Sequence, residues 1–320
     1  MHILLTGAAG FIGYHTANAL LARGDQVTGI DSLTPYYDVG LKRARLADLG
    51  DAPSFRFVES DCADQAAFAA IADSARFDLI LHLAAQAGVR YSVENPLAYV
   101  EANVAGQVVV LEQAARLGLP MVYASSSSVY GANEKVPFEE TDRVDTPVST
   151  YAATKRAGEL LATAYRSIHG VRSAGLRFFT VYGPYGRPDM APWLFTDAIL
   201  SGRPIDVFNN GEMERDFTHV SDIVSGVVAA VDRAADRSKP LSPVYNLGNN
   251  TPVRLMDFIA AIERAAGRTA VKVMKPKPAG DVLRTYANID LAARELGYGP
   301  KVGIEEGMAD FVAWFRTRQD

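Results

Sequence analysis

The chain holds one cysteine, Cys62, in 320 residues, so no disulfide can close within it. A reducing compartment follows as the expectation, and with it a cytoplasmic location. There are five histidines. With one thiol they form no His/Cys cluster at metal-ligand spacing, and no metal is expected. Positive charge is not in excess: 32 basic residues stand against 37 acidic ones, a net charge of −5. That excludes the basic footprint of a nucleic-acid binder. A long apolar run is also missing. The uncharged stretch between Arg116 and Glu134 is broken by Gly118, Pro120 and the serines Ser125–Ser128. No membrane span is expected. The opening Met1–Gly7 has no charged leader, so no signal peptide is expected either. No internal repeat or low-complexity tract occurs.

What remains is an average folded composition, 48% hydrophobic and 22% charged. At about 150 residues per domain the length predicts two domains. Short β-type runs alternate with helical patterns: strands over 2–6, 26–30, 54–58, 77–81, 120–124 and 172–178, and helices over 11–23, 97–117 and 150–168. This alternation predicts an α/β fold, a doubly wound (Rossmann) parallel sheet covered on both faces, with ligands at the strands' C-terminal edge. After about residue 180 the pattern turns irregular. It predicts a smaller, partly discontinuous C-terminal substrate domain, 181–218 and 248–320, beside a cofactor domain of 1–180 plus 219–247.

The first strand runs directly into Gly7-Ala8-Ala9-Gly10-Phe11-Ile12-Gly13, which opens a helix. Glycines there permit a tight turn and a close approach of backbone to a pyrophosphate, which the helix N-terminus favours. The spacing is G-x-x-G-x-x-G, and its position at the first strand–helix junction gives it weight. Asp31 ends the second strand. A carboxylate there accepts from both ribose hydroxyls and repels a 2′-phosphate, favouring NAD over NADP. Asp61 and Cys62 follow the third strand, where the adenine edge is expected. Cys62 reads as a small buried hydrophobe.

Ser125 through Gly131 follows the fifth strand, and Tyr151 and Lys155 share one face of the next helix. A free tyrosine, with a pKa of about 10, is a poor base at neutral pH. A cation about 4 Å away in partly screened surroundings supplies on the order of 4 kcal/mol toward phenolate. Lys155 together with a positively charged nicotinamide ring is expected to supply it, and a serine hydroxyl would orient a substrate alcohol.

Taken together, Thr6–Gly13, His82-Leu83-Ala84-Ala85, Ser125–Gly131, Tyr151 to Lys155, Arg215–Val220 and Gly280-Asp281-Val282 make the chain resemble the extended short-chain dehydrogenase/reductases, the nucleotide-sugar epimerases and dehydratases. The resemblance covers essentially the whole length. It implies Ser126, Tyr151 and Lys155 as the catalytic triad and NAD held through many turnovers. Cofactor contacts are implied at Gly7, Gly10, Phe11, Ile12, Gly13, Asp31, Ser32, Asp61, Cys62, Leu83, Ala84, Ala85, Asn103, Tyr151, Lys155 and Phe178.

The family's dehydratases carry an Asp-Glu pair where Ser127 and Ser128 stand, its decarboxylases a Glu beside the Val-Tyr-Gly element, and its galactose-type epimerases an Asn where Thr180 stands. The stretches 31–38, 87–92 and 179–190 look most like UDP-glucuronate 4-epimerases. The implied reaction interconverts UDP-glucuronate and UDP-galacturonate by transient oxidation at C4, turning of the 4-keto sugar and hydride return. The keto form of a uronic acid loses carbon dioxide when its C–CO2 bond aligns with the carbonyl π system. Hydroxyls of Ser127, Ser128 and Thr180 are expected to hold the carboxylate out of that alignment; the bland reading is that they satisfy turn backbone. Arg187 and Arg215 are implied at the diphosphate. Tyr151 would touch the sugar, Arg90 is placed near the sugar or equally in a surface ion pair, and Val207 would line the uracil through backbone groups. Asp281 is implied as a substrate contact, but it follows a departure from the family's pattern, with Pro278 in place of an Arg or Gln. His82 reads as structural. The helices over 97–117 and 150–168 could pair with a second copy's, and a homodimer is expected. A UDP-glucose 4-epimerase and a non-catalytic NAD-binding protein remain the competing readings.

Overall fold

The computed structural model describes residues 1–50, 52–276 and 284–318. Its largest sheet has seven strands: β1 (His2–Thr6), β2 (Gln26–Asp31), β3 (Phe55–Glu59), β4 (Leu79–His82), β5 (Met121–Ser126), β6 (Ser173–Phe178) and a late one, Val244–Leu247. All pair in parallel, in the spatial order Val244–Leu247, β6, β5, β4, β1, β2, β3. The strands read as near-continuous apolar runs because both faces are covered. Alternation shows which face each residue serves. Ile3, Leu5, Leu79, Leu81 and Val122 enter one core with Tyr14, Leu20 and Val227; Leu4, Ile80, Met121 and Tyr123 enter the other with Phe68, Val110 and Ala162.

The helices follow in order: α1 (Phe11–Ala22), α2 (Val39–Gly50), α3 (Gln65–Ala72), α4 (Tyr91–Glu94), α5 (Pro96–Val100), α6 (Gly106–Leu117) and α7 (Thr150–His169). A π-helical turn, Glu101–Ala105, joins α5 to α6, so the helix expected over 97–117 is one rod with an inserted wide turn. Gly118 and Gly170, both left-handed, end α6 and α7. Spatial order reverses between β4 and β1, which opens a crevice at their C-terminal ends.

Beyond β6 the chain builds two small sheets. Strands β7 (Thr180–Tyr182), β9 (Glu214–His219), β11 (Pro252–Arg254) and β13 (Arg284–Thr285) form one around β9. Strands β8 (Ile205–Phe208) and β12 (Lys272–Lys275) form the other, and β10 is the Val244–Leu247 strand already placed in the large sheet. Between β9 and β10 the chain passes through α9 (Val220–Ala235), which packs on α1. The second half's core comes from α8 (Ala191–Leu200), α10 (Leu255–Ala266) and α12 (Ile304–Thr317), around Phe217 and Phe258 stacked at 4.2 Å; α11 (Asp290–Leu296) lies beside α9 and β10. Among the described residues no helix is long and apolar enough to cross a membrane.

Candidate active site

One cavity of about 610 Å³ opens at the crevice and continues toward the second half. Its cofactor-side wall starts at the glycine turn. Gly7 takes φ +74°, and a Cβ on Gly13 would sit 2.0 Å from the Gly7 carbonyl, so the turn closes only with glycine there. The N-cap of α1 is Gly10, whose missing side chain leaves the first-turn amides uncapped from within. Gly10, Phe11, Ile12 and Gly13 all face the cavity. An anion there would satisfy those amides. Buried Arg45 steadies the turn from behind, donating to Ala9 O at 2.8 Å and to Tyr185 O at 2.6 Å.

Asp31 and Ser32 line the cavity at the end of β2. The Asp31 carboxylate accepts from the Leu33 amide at 2.9 Å and from Lys42 Nζ at 3.3 Å. Asp61 and Cys62 line it after β3, and burial pushes the Cys62 thiol up to about 12, so it is no thiolate at neutral pH. Leu83, Ala84 and Ala85 follow β4, and Phe178 closes the floor at the end of β6. His82 is buried and shares a hydrogen bond with Thr6 Oγ1 at 2.8 Å. Burial drives its pKa down to about 3, which keeps the ring neutral. Asn103 does not line the cavity. Its amide sits in the π-helical turn, accepts from the Gln86 amide at 2.8 Å and donates to Gln86 O at 3.0 Å, so it shapes the 83–90 wall from behind.

Ser126, Tyr151 and Lys155 meet on the same cavity wall. Ser149 caps α7, its hydroxyl accepting from the Ala152 amide at 3.1 Å, and this presents Tyr151 in the first turn. Burial raises the Tyr151 phenol above its ordinary value; the Ser126 hydroxyl and the Arg187 guanidinium pull the other way. Arg187 is a cation that favours the phenolate, and Lys155 Nζ donates to the Ala124 carbonyl at 3.0 Å. Burial lowers Lys155 to about 8, with the Glu159 carboxylate drawing it back up.

Ser127, Ser128 and Thr180 line the cavity beside the triad. Ser128 Oγ is buried without a hydrogen-bond partner among the described residues. Arg90, Arg187 and Arg215 complete the far wall. Arg90 lies 5.6 Å over the Phe208 ring. Arg187 forks onto Asp189, with Nε to Oδ1 at 3.0 Å. Arg215 Nη1 donates to Glu214 O at 2.9 Å. The Val207 side chain is fully buried in the second core, off the cavity, because its strand turns that face inward. The expected Asp281 contact, with Pro278, lies outside the described residues.

Several wall residues carried no expected role: Thr34, Tyr36, Tyr37, Lys42, Met190 and Thr285. Tyr36 donates to Asp189 Oδ2 at 2.9 Å, joining the loop after β2 to the segment after β7. No local pattern encodes a contact between residues so far apart. Glu159 did leave a signal, since it repeats the Tyr151–Lys155 spacing one turn further along α7.

Residues 3–248 match the NAD dependent epimerase/dehydratase family. A probable UDP-glucuronate 4-epimerase of Rhizobium meliloti is 47% identical over 98% of this chain and 97% of its own length. The fold is similar to that of the UDP-glucuronic acid 4-epimerase of Bacillus cereus in complex with UDP-glucuronic acid and NAD, at TM-score 0.90 and 32% identity, over 99% of this chain and 100% of that one. It is also similar to the UDP-glucose 4-epimerase of Thermotoga maritima with UDP-glucose, at TM-score 0.89 and 30% identity, over 100% of both chains. NAD fits the residues present: the uncapped α1 terminus and close glycine turn suit its pyrophosphate, and Asp31 suits a ribose. The chain belongs to the NAD dependent epimerase/dehydratase family, and NAD is its cofactor.

Proposed function

We propose that the protein interconverts UDP-glucuronate and UDP-galacturonate by inverting the sugar at C4. The observation that carries this reading is the unpartnered Ser128 hydroxyl, buried beside Ser127 and Thr180 in the wall that holds Tyr151. A buried hydroxyl without a partner costs about 1–3 kcal/mol, and a substrate carboxylate would remove that cost. Relatives named for UDP-glucuronate agree with it.

Bound NAD supplies the reversible acceptor for the C4 hydride. Tyr151 takes the 4-OH proton and later returns it, while Ser126 orients that hydroxyl. Lys155, protonated below about 8, holds the wall behind them in charge and position. Arg187 and Arg215 take the diphosphate, and Arg187 leaves Asp189 to do so. The diphosphate end stays fixed while the planar keto sugar turns and offers its other face. Ser127, Ser128 and Thr180 keep the carboxylate away from the π system, which suppresses loss of carbon dioxide.

On this reading residues 1–180 with 219–247 serve the cofactor, and 181–218 with 248–320 serve the nucleotide sugar, in a cytoplasmic enzyme. The protein forms a homodimer through the helices over 97–117 and 150–168, where Leu97, Leu160 and Ile168 stand 77%, 55% and 73% exposed. Exposed apolar side chains of this kind suit a second copy.

The test offers UDP-glucuronate, UDP-glucose and UDP-xylose without added NAD and follows epimers by NMR. UDP-glucuronate should turn over fastest, and in Thr180→Ala the same spectra should show a UDP-pentose by-product. Equal rates on all three sugars, or stoichiometric NADH, would overturn the reading.

A further inference from the structure

The serine run that carries Ser126, Ser127 and Ser128 is held at both ends by a single buried ion pair. Glu159 and Arg177 have side chains only 2% exposed. Glu159 Oε1 accepts from Arg177 Nε at 2.8 Å and from Ser125 Oγ at 2.7 Å; Oε2 accepts from Arg177 Nη2 at 2.9 Å and from Arg156 Nη1 at 2.9 Å. Arg177 Nη1 in turn donates to the Tyr130 hydroxyl at 3.0 Å. The carboxylate therefore grips the residue before Ser126, and its guanidinium partner grips the last residue of the turn Ser127–Tyr130.

A second grip falls on the same strand. Lys155 Nζ bonds the Ala124 carbonyl, one residue before Ser125. Successive turns of α7 thus fasten successive residues of β5, from the helix that presents Tyr151. Buried ion pairs are poor sources of stability, because desolvation offsets their attraction. Packed apolar residues would join α7 to β6 as well. They would not place a hydroxyl, because only directed hydrogen bonds fix one to a few tenths of an ångström.

We propose that the Glu159–Arg177 pair is a positioning device that clamps Ser125 and Tyr130, and so sets where Ser126 meets Tyr151 and where Ser127 and Ser128 stand. The inference rests on the proposed epimerase reading for its effect on turnover, but not for its effect on Tyr151. Besides Ser126, the groups facing Tyr151 are Arg187 from the segment after β7 and Tyr99 from α5, with ring centroids 6.0 Å away; Lys155, one turn along α7, donates to the Ala124 carbonyl. Of these, only Ser126 lies between the clamped ends. When Ser126 drifts, the phenolate loses a hydrogen bond and its titration moves up.

Ser125→Ala and Tyr130→Phe each release one end and leave the ion pair intact. Both should fold, retain NAD and keep KM within about twofold, while kcat falls about tenfold, the order expected for small misplacement of reacting groups. The acid limb of the kcat profile should move to higher pH, and Ser125→Thr should restore it. Tyr151 titration, read as the absorbance difference from Tyr151→Phe in each background, should also move up. Variants that lose thermal stability but keep kcat and the Tyr151 midpoint would overturn the inference and leave the pair a core fastening. If the parent protein turns over none of the offered UDP-sugars, the epimerase reading fails on its own. The Tyr151 midpoints then decide: a rise supports the clamp, and unchanged values overturn it.

Discussion

The two halves of the molecule reach order by different means. The seven-stranded sheet is held by a continuous parallel ladder with apolar residues on both faces, and its site residues sit at strand ends where the ladder delivers them. The second half has short strands, and its order comes from side chains. Phe217 stacks on Phe258, and the buried Asp216 carboxylate accepts from the amides of Asn249 at 2.6 Å and Ala287 at 3.0 Å, with Thr218 Oγ1 at 3.0 Å. That one carboxylate ties three chain segments beside Arg215. A repeating ladder makes a cofactor site robust to loop variation, whereas anchoring by single side chains makes a substrate site easy to vary.

The sharpest break in this comparison comes from Gly13→Ala. Its Cβ would lie 2.0 Å from a backbone oxygen that cannot move aside. The purified variant should lose its retained NAD and with it all turnover, as read by cofactor extraction. NAD content equal to the parent's would show that the turn tolerates opening.

Phe258→Ala probes the other half. Phe258 is fully buried, and its truncation should cost about 3–5 kcal/mol. If the halves are as separable as their packing suggests, affinity for UDP falls while NAD stays bound, measured by calorimetry and cofactor extraction. Simultaneous loss of both would join the halves into one cooperative unit.

The smallest effect is in pH. Lys155 is held near 8, below its ordinary 10.5, by burial. Turnover should decline as pH rises through about 8 and the cation is lost. The same deprotonation adds stability, because between about 8 and 10.5 the folded chain binds fewer protons than the unfolded one. Activity and thermal stability should therefore move in opposite directions over this range. Joint decline would detach Lys155 from both.

Much of the first half was legible locally. Each expected strand there lies within two residues of an observed one at either end, because buried parallel strands leave compact apolar runs bounded by turns. The glycine turn, Asp31 and the Tyr151–Lys155 pair were legible for the same reason, since each is a short pattern with one geometric meaning. The place of Asn103 behind the cavity wall was not. Whether a side chain faces a cavity or the core behind it depends on the rotation of its element, which packing sets. The Lys155 bond to Ala124 O was not legible either, because helix spacing places Lys155 near Tyr151 without saying which backbone carbonyl it meets.

By itself the sequence determined the ladder, the turn chemistry and the residues that could do proton transfer, since these depend on neighbours within a few positions. Only tertiary structure decided which charge faces Tyr151, that Tyr36 reaches Asp189, and that one ion pair holds both ends of the serine run. Those contacts join residues tens to more than a hundred positions apart. Their geometry arises only when the sheet and the second core pack together and exclude the water that would otherwise compete for the same groups.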